Sequence, residues 1–349
     1  MYRLPTTARL RLIGNAVHKR HAHFVVQRLV AKAVASLRAD GRPLQLRVLE
    51  LFAGAGVMTS CIHQAAAAAG ATVNRVVVVE WDGHAAAVLR HTHPTAEVLE
   101  ADVSSLSWQR GEFDIVMAGP PCQDYSGANQ RRDRGTSGLV LPRGALLPVA
   151  VNAIATVAPR AWVIENVRMH AADFAAASGV IAGALPDCRP AVQLCAARDF
   201  GAAMMRQRLF WSDADLSQPP PPLPAVPWAA SAEELAADAP PHVWQRRCQR
   251  GARSLSEYMH EEVRGRPRHT MRLHRDVELR VQATVTSSAH KGAPYSTVRD
   301  TAARLGGVNA QRMGMAVDDD GAVWRPMLAT EAEALMELSR GHTEFGVKV

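Results

Sequence analysis

Lysine is scarce in this 349-residue chain: Lys19, Lys32, Lys291 and Lys348 are the only ones, so arginine carries almost all of the net charge of +7. An arginine surplus fits phosphate binding, and it fits a codon bias toward Arg and Ala equally well. Aromatics are few, at 5%, while 48% of residues are hydrophobic and 21% charged, the balance expected of a soluble globular core. Apolar runs of membrane-spanning length are missing and the N-terminus has no signal-peptide pattern, so a soluble, cytoplasmic protein with no membrane partner is expected. The five cysteines, Cys61, Cys122, Cys188, Cys195 and Cys248, are odd in number, widely spaced and without C-x-x-C. That argues against a disulfide framework or a zinc site and for a reducing compartment. The length accommodates one large domain plus a smaller one, or two of ordinary size.

What is present centres on Asp114-Ile-Val-Met-Ala-Gly-Pro-Pro-Cys-Gln-Asp-Tyr-Ser126. Its apolar run reads as a buried strand that empties into a turn of Gly119, Pro120 and Pro121, and the turn delivers a single thiol, Cys122. The prolines fix the backbone, so the thiol is aimed at the carboxyl edge of a sheet, where open α/β folds put their chemistry. A buried structural cysteine is the plain alternative. Upstream, Leu46-Arg-Val-Leu-Glu-Leu-Phe-Ala-Gly-Ala-Gly56 is a strand running into a glycine turn, followed by an Ala-rich helix and a second strand ending in Glu80-Trp81-Asp82. Gly54 and Gly56 allow close backbone approach to a ligand, and Glu80 is spaced to accept hydrogen bonds from ribose hydroxyls. The third glycine of the dinucleotide fingerprint is absent, with Thr59 and Ser60 in that region, which points to an adenosine cofactor without a pyrophosphate. Asp102, after a third strand, either meets an adenine amino group or caps the next turn.

Residues 127–144 are polar and rich in Arg and Gly, and read as a mobile loop beside the thiol. Ala161-Trp-Val-Ile-Glu-Asn-Val167 is another strand, and it ends with Glu165 and Asn166 on the same sheet edge as Cys122. Arg206 and Arg208 alternate, so on an extended segment both face one way, either toward an anionic substrate or as solvated surface residues. Residues 218–227 form a proline-rich linker. Beyond it, 246–280 are crowded with arginine, which after a linker favours nucleic-acid contact over a merely solvated surface. His242, His260, His269 and His274 lack metal-ligand spacing, and no metal is assigned. Residues 281–286 alternate like a strand, and a C-terminal helix is expected from about Thr330 to Ser339. Leu12-Ile-Gly-Asn-Ala-Val17 precedes a helical pattern through Phe24, Leu29 and Val34, and its Gly14-Asn15 reads as a turn and cap.

These motifs resemble those of the DNA cytosine-5 methyltransferases. Phe52-Ala-Gly-Ala-Gly56 resembles the cofactor motif, Pro120-Pro-Cys-Gln123 with Ser126 the nucleophile motif, and Glu165-Asn166-Val167 the Glu-Asn-Val motif. Phe200-Gly201 with Arg206-Gln-Arg208 resembles the paired-arginine motif, with Met204 where the family usually has Gln. The order departs from the usual one. Family members end with Gly-Asn-(Ala/Ser)-Val, which here stands at the start as Gly14-Asn15-Ala16-Val17. The preceding R-x-L-x-x-x-E motif survives near the C-terminus as Arg325-Pro-Met-Leu-Ala-Thr-Glu331, without the usual Gly-Phe-Pro after it. The chain therefore resembles a circularly permuted member, for which residues 1–8 and 340–349 are expected to be neighbours.

The resemblance implies an α/β fold: a Rossmann-like S-adenosylmethionine-dependent methyltransferase sheet with a smaller target-recognition domain. The catalytic domain would span 1–213, target recognition 214–318, and 319–349 would return to the catalytic domain. It implies methyl transfer from S-adenosylmethionine, giving S-adenosylhomocysteine, to C5 of cytosine in a specific sequence of double-stranded DNA, with the base flipped out. Cys122, Glu165, Arg206 and Arg208 would be catalytic. Phe52, Ala53, Gly54, Gly56, Glu80, Trp81, Asp102, Pro120 and Asn15 would hold the cofactor, and Gln123, Ser126, Arg131 and Arg132 would contact DNA. A cognate restriction endonuclease is a further candidate partner, and the expected setting is a bacterial or phage-encoded protein at the nucleoid. The alternatives are a tRNA cytosine-5 methyltransferase and a catalytically silent DNA-binding regulator.

Overall fold

The computed structural model describes residues 2–125, 137–186, 190–200 and 206–217, together with 315–317, 323–326, 336, 343 and 345–346. The chain divides into two compact units. One comprises Ala22–Cys195 and Gln207–Pro219, the other Met1–His21, Ala196–Arg206 and Pro220–Val349.

The first elements are β1 (Tyr2–Arg3), α1 (Thr6–Asn15) and α2 (Lys19–Ala39). Gly14 and Asn15, expected as a turn capping the next helix, instead form the last turn of α1. Buried Leu10, Leu12 and Ile13 carry the helix that far, and it stops where Ala16 turns extended and returns its N–H to the carbonyls of Leu12 and Ile13. His18 opens α2, its Nδ1 accepting from the N–H of Arg20 at 3.2 Å. Along α2, Val25, Val26, Leu29, Val30, Ala33 and Leu37 are buried at the three- and four-residue spacing of an apolar helix face.

The larger unit is built on a seven-stranded sheet. Its elements are β2 (Gln45–Leu51), α3 (Thr59–Ala68), β3 (Thr72–Glu80), α4 (Gly83–Thr92), β4 (Glu97–Glu100), β5 (Ile115–Ala118), α5 (Leu146–Val157), β6 (Ala161–Val167), α6 (Ala171–Ala184), β7 (Ala191–Ala196) and β8 (Gln207–Ser212). The strand order is β4-β3-β2-β5-β6-β8-β7. The pairs β3–β4, β2–β3, β2–β5 and β5–β6 are parallel, and β8 runs antiparallel to β6. Parallel strands covered on both faces need unbroken apolar runs, which Val76–Val79 and Ile115–Ala118 supply. Right-handed crossovers put α3 and α4 on one face of the sheet and α5 on the other. Leu51, Val79, Val116, Ile154 and Ile164 meet in the core, and each buried aliphatic side chain of this size contributes about 1.5–3 kcal/mol. At the opposite edge, Arg47 locks the β2–β5 register with a two-pronged ion pair to buried Asp114, at 3.0 and 3.1 Å.

Chain direction across the sheet reverses between β2 and β5, and such a switch point opens a crevice outside the carboxyl ends of the strands. The register is even there: Leu51 pairs with both Val79 and Ala118, and Ala118 with Ile164. Phe52, Glu80, Gly119 and Glu165 each stand one residue past those partners.

In the other unit, β9 (Met315–Val317) pairs antiparallel with β10 (Val323–Pro326). β11 (Phe345–Gly346) pairs antiparallel with β1, Tyr2 opposite Gly346 and Arg3 opposite Phe345, so the two ends of the chain are hydrogen-bonded neighbours, as expected. Arg9 Nε adds a 3.4 Å bond to Thr343 Oγ1. The linker 218–227, the arginine-rich 246–280, the strand 281–286 and, apart from Met336, the C-terminal helix lie outside the described residues. No helix among the described residues is long and apolar enough to cross a membrane.

Candidate active site

On the β5–β6–β8 side, β5 ends at Ala118 and the chain turns through Gly119, Pro120 and Pro121 to Cys122, a half-buried thiol outside any disulfide. Glu165 stands within β6 near the same edge, and Arg208 on the antiparallel neighbour β8 reaches it with Nε at 2.7 Å from Oε1. Both partners are largely shielded, with side-chain exposures of 12% and 8%, so their attraction is screened far less than that of a surface pair. Arg208 Nη1 also donates to the carbonyl of Gln207 at 2.7 Å, which fixes the guanidinium plane. Asn166, fully buried, donates from Nδ2 to the carbonyl of Pro120 at 3.3 Å. Adjacent strands thus bring the thiol turn, the carboxyl and the guanidinium together. Sequence reading placed Asn166 on this edge but had no means of finding its bond to Pro120, 46 residues away.

On the β2–β3–β4 side, the turn after β2 is held open by backbone conformation. Gly54 and Gly56 have φ of 56° and 69°, and Phe52, with a φ of 58°, is one of two non-glycine residues in the left-handed region among those described. Glu80 clamps the turn: one carboxyl oxygen accepts from Gly54 N–H at 2.8 Å and the other from Asp82 N–H at 3.0 Å. Burial raises the Glu80 pKa, and those two donors pull it back. Trp81, 75% exposed, presents a large apolar face beside it. Asp102 caps the turn after β4, its Oδ1 accepting from the N–H and hydroxyl of Ser104 at 2.8 and 2.7 Å, and those bonds lower its pKa. Asp102 thus caps this turn while its carboxylate remains exposed at the edge.

Glu50 was missed, although a carboxylate inside Val48-Leu-Glu-Leu51 is itself the signal of a buried charge. It accepts from the N–H of Thr59 at 2.9 Å and also from its hydroxyl, so Thr59 at the start of α3 is tied to β2. Complete burial pushes the Glu50 carboxyl up to about 7, against the pull of Thr59 and with some help from Glu80.

A carboxylate held by backbone donors has lone pairs left for vicinal hydroxyls, and an exposed indole offers a face for a purine. A Cβ added at Gly54 would meet nothing within 4 Å beyond its chain neighbours, so the space beside this turn is open. These residues fit an adenosine-type cofactor. The two sides meet at Gly119: a Cβ there would lie 3.6 Å from Glu165 Oε2 and 3.8 Å from the carbonyl of Phe52.

Two further expected site residues belong to the smaller unit. Arg206, expected to share a face with Arg208, is fully buried in the smaller unit, where its Nη2 donates to the carbonyls of Gly14, at 2.8 Å, and Ala16. Asn15 closes α1 in that same unit. Gln123 is half-buried beside the thiol. Ser126, Arg131 and Arg132 lie outside the described residues, as do Gly201 and Met204.

Compared with known proteins, residues 46–235 match a family model described as C-5 cytosine-specific DNA methylase. The type II methyltransferase M.AquIA of Picosynechococcus is 30% identical over 187 residues, covering 48% of this chain and 71% of the relative. The type II methyltransferase M.Eco47II of Escherichia coli is 34% identical over 35% of this chain and only 27% of its own length. The mouse DNA (cytosine-5)-methyltransferase 1 is 27% identical over 36% of this chain and 8% of its own.

Proposed function

Since the chain belongs to the C-5 cytosine-specific DNA methylase family, we propose that it methylates C5 of cytosine in duplex DNA through a covalent adduct at Cys122. The observation that carries this reading is the shielded Glu165–Arg208 pair beside the Cys122 turn. The cofactor S-adenosylmethionine supplies an electrophilic methyl group when bound. Glu80 would hold its ribose, Trp81 and Phe52 would sandwich its adenine, and Asp102 would meet the adenine amine. Ala53, Gly56 and Pro120 line the two turns between which its methionine end would lie.

C5 of cytosine is a poor nucleophile until the ring is loaded at C6. The Cys122 thiolate would form the S–C6 bond, pushing an electron pair through the ring toward C5. Glu165 would hydrogen-bond N3 and accept from the exocyclic amine, favouring the protonated ring that accepts this attack. Arg208 would keep the Glu165 carboxyl oriented and meet O2 with its outer nitrogen. C5 then takes the methyl group, loses its proton to a base, and the S–C6 bond breaks to return the Cys122 thiolate. The reaction needs the base extruded from the helix, with Gln123 and the residues after it beside the vacated stack. Residues 214–318 would supply target recognition, their arginines contacting phosphates. The pairing of β1 with β11 supports a permuted order in which the Gly14–Val17 motif replaces the family's C-terminal one. A cognate restriction endonuclease would fit a type II setting.

Methyl transfer from labelled S-adenosylmethionine, run in parallel on duplex DNA and on tRNA, tests this function. Label in DNA that is abolished by Cys122→Ser is the expected outcome. Label in tRNA alone, or full activity in Cys122→Ser, would contradict it.

A further inference from the structure

Cys122 sits in a turn whose far end is fastened more firmly than its near end. The N–H of Tyr125 returns to the carbonyl of Cys122 at 3.0 Å, closing a tight turn over 122–125. Asp124 Oδ2 then accepts from two successive backbone donors, Arg143 N–H and Gly144 N–H, each at 2.9 Å. Tyr125, fully buried, donates its hydroxyl to the carbonyl of Gly144 at 2.7 Å. The knot has no slack. A Cβ on Gly138 would come within 2.5 Å of the Tyr125 ring, and one on Gly144 would overlap the carbonyl oxygen of Gly138. Gly138 is itself anchored, its N–H donating to buried Asp173 of α6 at 2.9 Å.

We propose that Asp124 and Tyr125 are positioning residues for the nucleophile, clamping the Cys122 turn to the segment that leads into α5. The inference rests on the reading of Cys122 as the attacking thiol and extends it to two side chains that touch neither substrate nor cofactor. Asp124 is suited to the task because a carboxylate oxygen accepts two N–H groups at once, and these N–H groups lie just before an α-helix, where negative charge is favoured. Tyr125 adds a rigid ring under the turn and one hydroxyl bond across it. With Asn166 holding Pro120 on the other side, the thiol is suspended between two fixed points. Displacing a reacting atom by about 1 Å can cost on the order of a hundredfold in rate, so loosening one point is felt at the sulfur.

The experiment measures kcat, KM for S-adenosylmethionine and the rate of adduct formation on a 5-fluorocytosine duplex, with the full chain. Asp124→Ala is expected to lower kcat and trapping about 10- to 100-fold while KM for the cofactor stays within about twofold, because the Gly54–Glu80 clamp is untouched. Asp124→Asn, whose amide oxygen still accepts, is expected to recover most of the rate, and Tyr125→Phe to lose only a few-fold. If the unaltered protein forms no adduct, the Cys122 reading fails and the clamp with it. If the unaltered protein traps and Asp124→Ala traps equally fast, the clamp alone is overturned. An equal fall in kcat and cofactor affinity also overturns it, since that is what general loosening produces. Should Asp124→Ala fail to fold, judged by cofactor binding, Asp124→Asn and Tyr125→Phe decide: normal folding with impaired trapping in Tyr125→Phe supports the clamp, and unaltered trapping overturns it.

Discussion

The two halves of the sheet's carboxyl edge are held in place by different means. From β2 to β4 two carboxylates collect backbone donors: Asp82 and Ser104 give their N–H groups to Glu80 and Asp102 two residues away, and Gly54 gives its own to Glu80 from the turn after the neighbouring strand. From β5 to β8 they are side chains reaching across elements: Arg208 to Glu165, Asn166 to Pro120, Asp124 to Gly144. The cofactor side is held within the contiguous run from β2 to the turn after β4, whereas the thiol side draws on β5, β6, β8 and the segment before α5. Changes on the two sides should therefore be felt by different kinetic constants.

The sharpest test of that division is the largest effect. Cys122→Ser should reduce methyl transfer on the order of a thousandfold or more while leaving cofactor binding intact, as equilibrium binding of labelled cofactor would record. Next come Glu165→Gln and Arg208→Lys. Each should cut kcat by about 10²–10³-fold with little change in cofactor KM, the scale of a lost preorganised electrostatic contact. If either mainly raised cofactor KM, the two sides would not be separable.

Glu50 lies on the cofactor side and probes it through pH. Its folded-state carboxyl holds a proton up to about 7, against an ordinary value of 4.5, so the unfolded chain releases that proton first as pH rises. Stability is therefore fully retained below about 4.5 and lost as pH climbs through 7, by on the order of 3 kcal/mol across the window. Glu50→Gln should flatten this slope, measured as urea midpoints at pH 5 and pH 8. A slope left unchanged would mean Glu50 is not the group responsible. Gly56→Ala is a smaller change in the same region. With φ at 69° and a Cβ position 2.5 Å from His93 Nε2, it should cost about 1–3 kcal/mol and raise cofactor KM more than it lowers kcat. Asp102→Ala should be smallest, a few-fold in cofactor KM with about 0.5–2 kcal/mol for the lost cap.

The same division explains what could be read before folding. The β2–α3–β3 unit was legible because strand, glycine turn and terminal acid follow one another along the chain, and Glu80 clamps the turn from its expected place. The β6 bounds at Ala161 and Val167 were equally legible from one apolar run. Spacing could not have pointed Arg206 to the carbonyls of Gly14 and Ala16, 192 and 190 residues away. The Asp124–Gly144 clamp and the Asn166–Pro120 bond were invisible, since nothing in spacing tells which backbone group a side chain will meet after strands pair. Glu50 gave a readable signal, a charge inside an apolar run, whose partner Thr59 only the fold could name.

The central claim, a covalent bond from this thiol to the target base, is tested most directly by mass spectrometry. The protein would be incubated with S-adenosylmethionine and a duplex carrying 5-fluorocytosine in place of cytosine, then digested and sequenced. The account predicts a single DNA-linked peptide, with the modification on Cys122. A linked peptide bearing Cys61 or Cys195 instead, or methyl transfer with no linked peptide at all, would contradict it.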